Sequence, residues 1–158
     1  MTTSSALDPA DQRALAVSLF NRTWDLLETD RDDAGDRLLL ATALASRLHW
    51  EGIGTDENYA AGDWLVAHVA SRLGHPDLAL DFAAAAHQRA VEADPPVPQW
   101  LVASTQEGMA RAHAVAGHDE ERDRWAADAR STLEDVDDTE DRELIESQLD
   151  TVPGLDAS

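Results

Sequence analysis

Trp64, His68, Ser71 and Arg72 recur at the spacing of one helical face, and Ser104, Glu107 and Arg111 do so again further along the chain. On helices, each set forms a single stripe. An indole offers a broad apolar contact, and a guanidinium forks onto a carboxylate through two parallel hydrogen bonds. With His, Ser and Glu to fix orientation, these residue types suit holding a peptide or an anionic group. His49, Trp50 and Asp63 fall where they would border the same region. A buried His49–Asp63 or His68–Glu107 pair would supply acid–base chemistry, because burial beside a carboxylate shifts an imidazole pKa. That is the basis of an alternative reading, a small-molecule sensor or enzyme with a His/carboxylate pocket.

No other pattern points to catalysis. The chain has no G-x-S-x-G, no P-loop and no dinucleotide fingerprint. The six histidines never form H-x-x-x-H or E-x-x-H, the spacings that put two metal ligands one helical turn apart. His113 and His118 are split by Gly117, while His75 and His118 begin helices at equivalent places and read as turn residues. A non-catalytic role with no metal and no cofactor is therefore expected.

Composition narrows the partners. The net charge is −20 over 158 residues, and all 12 basic side chains are arginine, with no lysine. Dense negative charge repels phosphate backbones and anionic lipid, so neither nucleic acid nor a membrane surface is an expected partner. Coding bias, salt adaptation or a basic partner would each account for the charge. Cysteine is absent, which excludes disulfides, thiolate chemistry and Cys–zinc sites. No apolar run approaches the ~20 residues of a membrane span, and the N-terminus has no secretory pattern, so a cytoplasmic protein is expected.

The elements that must position these residues are helices, since Ala and Leu dominate and strand patterns are absent. Asp8-Pro9 reads as a cap and first helical residue for a helix to about Glu28, with Leu15, Leu19, Phe20, Trp24, Leu26 and Leu27 on its apolar side. The acidic segment from Thr29 to Asp36 reads as a loop. A second helix, about Asp36 to Trp50, would bury Leu40, Ala41, Leu44, Ala45 and Leu48. Further helices follow from Thr55 to Leu73, Pro76 to Ala93, Pro98 to Ala116 and Asp119 to Leu133, with Gly74 and Gly117 as helix stops. A short capping helix carries Leu144, Ile145 and Leu149. The expected architecture is all-α, about seven helices in antiparallel hairpins, forming one domain over 8–152 between disordered tails at 1–7 and 153–158. If no neighbour covers the apolar side of the first helix, it would serve a homodimer.

Two segments repeat. AHVASRLGHPDLALDFAAAA (Ala67–Ala86) aligns with ARAHAVAGHDEERDRWAADA (Ala110–Ala129) at a period of 43 residues. A two-helix unit repeating at about 40 residues marks a stacked array. The segments resemble tetratricopeptide repeats: Ala67 and Ala110 match the small position of the first helix, and Val66 and Met109 its large apolar neighbour. Gly74 and Gly117 match the turn, and Ala79, Ala86 and Ala129 match small positions of the second helix. The period exceeds the family's usual ~34 residues. Arg122 replaces a small residue, and Asp63, Ala70, Gln106 and His113 stand where the family has aromatics. ASRLHW, GDW and ARAHAVAG also give the chain the look of a group of small uncharacterised bacterial proteins.

The resemblance implies a short α-solenoid whose first helices line a concave groove. In that register Trp64, His68, Ser71, Arg72, Ser104, Glu107 and Arg111 face the groove, and His49, Trp50 and Asp63 border it. It implies a binding scaffold holding a peptide or protein segment, with basic or carboxylate-bearing groups on the partner. A purely structural, oligomerising module is a further alternative.

Overall fold

The chain's local signals produce the helices they suggest. In the computed structural model, which describes residues 7–156, the order is α1 (Pro9–Leu27), α2 (Asp33–His49), α3 (Asp56–Arg72), α4 (Pro76–Glu92), α5 (Gln99–Val115), α6 (Asp119–Leu133) and α7 (Thr139–Leu149). There is no strand among the described residues. Asp8, Asp32 and Asp138 accept the free backbone N–H groups of Ala10, Gly35 and Asp141 at 2.8–3.0 Å, opening α1, α2 and α7. Gly74 and Gly117, at φ +74° and +77°, end α3 and α5 in the left-handed region that glycine enters without a Cβ penalty. None of these helices is long and apolar enough to cross a membrane.

α1–α2, α3–α4 and α5–α6 are antiparallel hairpins, stacked so that each second helix also packs on the first helix of the next hairpin. α7 lies on α5 and α6 and closes the array. α3 and α5 are therefore enclosed, and almost the whole circumference of each is buried through its central turns. Helices in this position need small residues wherever a neighbour comes close. α4 presents Ala79, Ala83, Ala86 and Ala90 along one buried stripe, and α6 presents Ala126 and Ala129. Bulk sits between these contacts: Leu39, Leu65, Val66 and Val69 toward α1 and α2, and Leu133, Ile145 and Leu149 at the other end. Each such large aliphatic side chain contributes about 1.5–3 kcal/mol by leaving water.

Two expectations need correction. α2 starts three residues earlier than its charge pattern suggests, because Asp32 caps it. Its buried face is Leu39, Thr42, Ala43 and Ser46, whereas Leu44 is exposed and Leu48 is 68% exposed. Ser46 Oγ donates to the Ala16 carbonyl at 2.8 Å, and the small residues around it allow this close approach to α1, so the leucine ridge is turned away. On α1, Leu15 is exposed, and Ala16, Thr23 and Leu27 are buried beside half-buried Phe20 and Trp24. Beyond α7, Val152 is buried and Leu155 packs against the last cluster. Of the tails expected at 1–7 and 153–158, residues 1–6 and 157–158 lie outside the described residues.

α3 and α5 cross closely at Gly108. A Cβ placed on Gly108 would sit 2.9 Å from Trp64 Cδ1, and the indole is too rigid to fold away from it. Gly108→Ala would gain ~1 kcal/mol of helix propensity but overpack the crossing at a cost of about 1–3 kcal/mol. The expected outcome is a lower midpoint of thermal unfolding together with a changed Trp64 fluorescence environment.

Candidate functional site

Trp64 on α3 meets a polar group deep in the stack. Its Nε1–H donates to Glu107 Oε2 at 3.3 Å, and Arg111 Nε, one turn along α5, donates to Glu107 Oε1 at 2.7 Å. Glu107 is 0% exposed and Arg111 is 3% exposed. The remaining guanidinium donors reach the end of α7, where Arg111 Nη2 donates to the Gln148 carbonyl and, just beyond the helix, to Thr151 Oγ1, both at 2.8 Å. These acceptors lie at the C-terminal end of α7, where the helix dipole favours a cation. One ion pair thus ties α3, α5 and α7 together.

His68 forms a three-ring cluster with Trp24 and Trp64, its centroid 5.3 Å and 5.6 Å from theirs and the two indoles 5.8 Å apart, all at tilted angles. Its Nδ1 is buried without a hydrogen-bond partner among the described residues. Burial first, and then the charges of Arg111 and Arg72, push its pKa down to about 3. The ring is neutral at physiological pH.

Above this layer the chain leaves a cleft of about 420 Å³. Phe20 and Trp24 of α1, Trp64 of α3, Trp100 of α5, and Leu144 and Ile145 of α7 form its walls. Ser104 and Gln148 add polar groups, and Asp141 is the one charged residue in the lining. The cleft is on the side of the stack where the first helices of the hairpins lie, and α7 closes one end.

The expected site residues are distributed differently from a single open stripe. Trp64 and Ser104 reach the cleft. His68, Glu107 and Arg111 are beneath it, occupied with their neighbours or packed in aromatic surroundings. Ser71 is buried with its hydroxyl unpartnered among the described residues, and Arg72 is exposed at the far end of α3 with no ion pair among them. Asp63 turns toward α2 and accepts from Arg47 Nε at 2.6 Å, and burial still holds its carboxyl above the ordinary range. Trp50 is buried under the Arg13 guanidinium, 5.2 Å from the ring centroid, and half-buried His49 is on the same turn of α2. Neither expected acid–base pair forms: Asp63 is engaged with Arg47, and Glu107 with Arg111 and Trp64.

Sequence reasoning missed Phe20, Trp24, Trp100, Asp141, Leu144, Ile145 and Gln148 as lining residues. For Trp100 a signal was present, since it continues the stripe of Ser104, Glu107 and Arg111 one turn earlier. Compared with protein-family models, curated proteins and solved structures, the chain matches none.

Two outcomes follow from the buried layer. Arg111→Met strands a buried carboxylate and should cost about 3–5 kcal/mol in denaturant unfolding, with Arg111→Met/Glu107→Leu recovering most of it. The second concerns pH. Because the folded-state pKa of His68 is depressed, its contribution is fully present above the ordinary imidazole value of about 6.5. It is lost as pH falls from there toward about 3. The midpoint of the wild type should therefore drop relative to His68→Phe across that window, and the two curves should run parallel above it.

Proposed function

We propose that this protein is a non-catalytic, cytoplasmic binding scaffold of the tetratricopeptide-like kind, holding a segment of a partner protein on the inner side of its helical stack. The observation that carries this reading is the cleft. It joins four aromatic rings and the aliphatic side chains of Ala61, Leu101, Leu144 and Ile145, from α1, α3, α5 and α7, beside one carboxylate. Its size suits one or two large apolar side chains rather than a long peptide. Aromatic anchors in such pockets dominate interface energetics, and a site built on packed helices loses little ordering entropy on binding. Asp141 and the strongly acidic chain favour a basic residue next to the apolar anchor.

A second reading has one observation in its favour. A cleft of this volume is within the about 300–1,000 Å³ range of small-molecule sites. An apolar or cationic small ligand would use the same walls.

The test is selection from a displayed random-peptide library on the wild type, followed by affinity measurement on variants. Selected peptides should carry a large apolar residue beside Arg or Lys. Trp100→Ala or Leu144→Asp should weaken them by roughly tenfold or more, and Leu48→Asp, on the outer face of α2, should leave them unchanged. Equal binding to all three variants would remove the cleft from consideration. Selection of no peptide, together with saturable binding of a small aromatic compound, would favour the second reading.

A further inference from the structure

The turn between α5 and α6 carries two groups that the cleft does not use. Ala116 caps α5, His118 N–H donates to the His113 carbonyl at 2.9 Å, and Gly117 N–H donates to the Ala114 carbonyl at 3.2 Å. This pair of bonds is a Schellman motif, in which the side chains at the positions of His113 and His118 regularly touch, ordinarily through apolar groups. The matching turn at Gly74 has the same two bonds, His75 to Ala70 at 2.9 Å and Gly74 to Ser71 at 3.2 Å, so a single imidazole stands opposite an alanine there. At Gly117 both positions are imidazoles, and their Nδ1 atoms are 3.1 Å apart. His118 is exposed and His113 is half-buried.

We propose that His113 and His118 form a bidentate site for a divalent transition-metal ion of borderline softness, Cu2+ ahead of Ni2+ and Zn2+, bound through the two Nδ1 atoms. With metal–nitrogen bonds of about 2.0–2.1 Å, the metal-free separation of 3.1 Å is already close to that of two ligands on one ion, about 100° at the ion, and the ring rotation on binding adjusts it. That angle lies between the tetragonal and tetrahedral values. In the neutral, metal-free pair one Nδ1–H donates to the other Nδ1. On binding, that ring exchanges its proton with solvent to become the Nε2–H tautomer, and both rings turn about χ2 so that their lone pairs converge on the ion. The exposed position of His118 leaves room for its ring to make most of this turn.

The surroundings fit the assignment. The two Nδ1 atoms already face each other at 3.1 Å on a turn whose backbone is fixed by two hydrogen bonds. Glu121 favours positive charge at this place and Arg124 opposes it. Among the described residues no group of three or more His, Asp or Glu side chains could hold a metal ion, so water fills the remaining positions. The site is open and exchangeable, unlike a closed structural zinc site. The ligand order follows the usual ranking of divalent ions at nitrogen donors.

The experiment is a calorimetric Cu2+ titration of the full chain near neutral pH, with excess Mg2+ present to occupy hard carboxylate sites, combined with electron paramagnetic resonance of the loaded protein. The expected result is one site per chain with two equatorial nitrogens. His113→Ala and His118→Ala should each weaken it by roughly tenfold or more, and His75→Ala should not. Circular dichroism melting checks that the variants fold, and the nitrogen count on the wild type needs no variant. Cu2+ binding as tight in His113→Ala/His118→Ala as in the wild type, or a single nitrogen in the wild-type spectrum, would overturn the proposal.

Discussion

The rest of the molecule is organised around one buried ion pair. Glu107 and Arg111 sit one turn apart on α5, one of the two enclosed helices, and each reaches a different neighbour: Glu107 takes the indole N–H of Trp64, and Arg111 takes the C-terminal end of α7. Burying two charges is unfavourable unless their hydrogen-bonding capacity is met inside. Here both carboxylate oxygens and the guanidinium have partners, and satisfying them fixes α3, α5 and α7 relative to one another. The walls of the cleft that come from Trp64, Leu144 and Ile145 inherit their placement from this network. A buried pair of this kind contributes more to specifying one arrangement than to raw stability.

Small residues set the other constraint. The alanine stripe of α4 and the close pass of Trp64 over Gly108 let helices approach to distances that larger side chains forbid. Where the small face points inward, the large aliphatic residues on the same helix are left outside, which explains the exposed Leu44 and Leu48 on α2. Close approach below and bulky aromatics above leave a gap between α1 and α7. That gap is the cleft, and His68 packs behind the Trp24 and Trp64 rings that line it.

Much of the fold was legible in the sequence, because its signals are local. Gly74 and Gly117 mark turns, Asp-Pro and the proline-rich 94–98 segment mark connections, and the 43-residue period marks the hairpins. What could not be read was which side of an enclosed helix meets solvent. Trp64, His68, Glu107 and Arg111 do share stripes, but α3 and α5 are covered nearly all round, so a polar stripe there is a buried network. The cleft draws on four helices far apart in sequence, and no spacing rule reports such a meeting. The His113–His118 contact was hidden for a different reason. Metal-ligand spacing on a straight helix is i,i+3 or i,i+4, whereas a Schellman turn brings i and i+5 together.

If the aromatic cleft receives an apolar group, as proposed, the five tryptophans report on it directly. In a 15N-labelled sample, titration with indole as a small apolar probe can be followed at the side-chain N–H resonances. Trp24, Trp64 and Trp100 line the cleft, whereas Trp50 is under Arg13 and Trp125 packs edge-on to His87. Binding in the cleft should give saturable shifts at the first three and none at the other two. Shifts confined to Trp50 or Trp125, or no saturable shift at Trp24, Trp64 and Trp100, would contradict it.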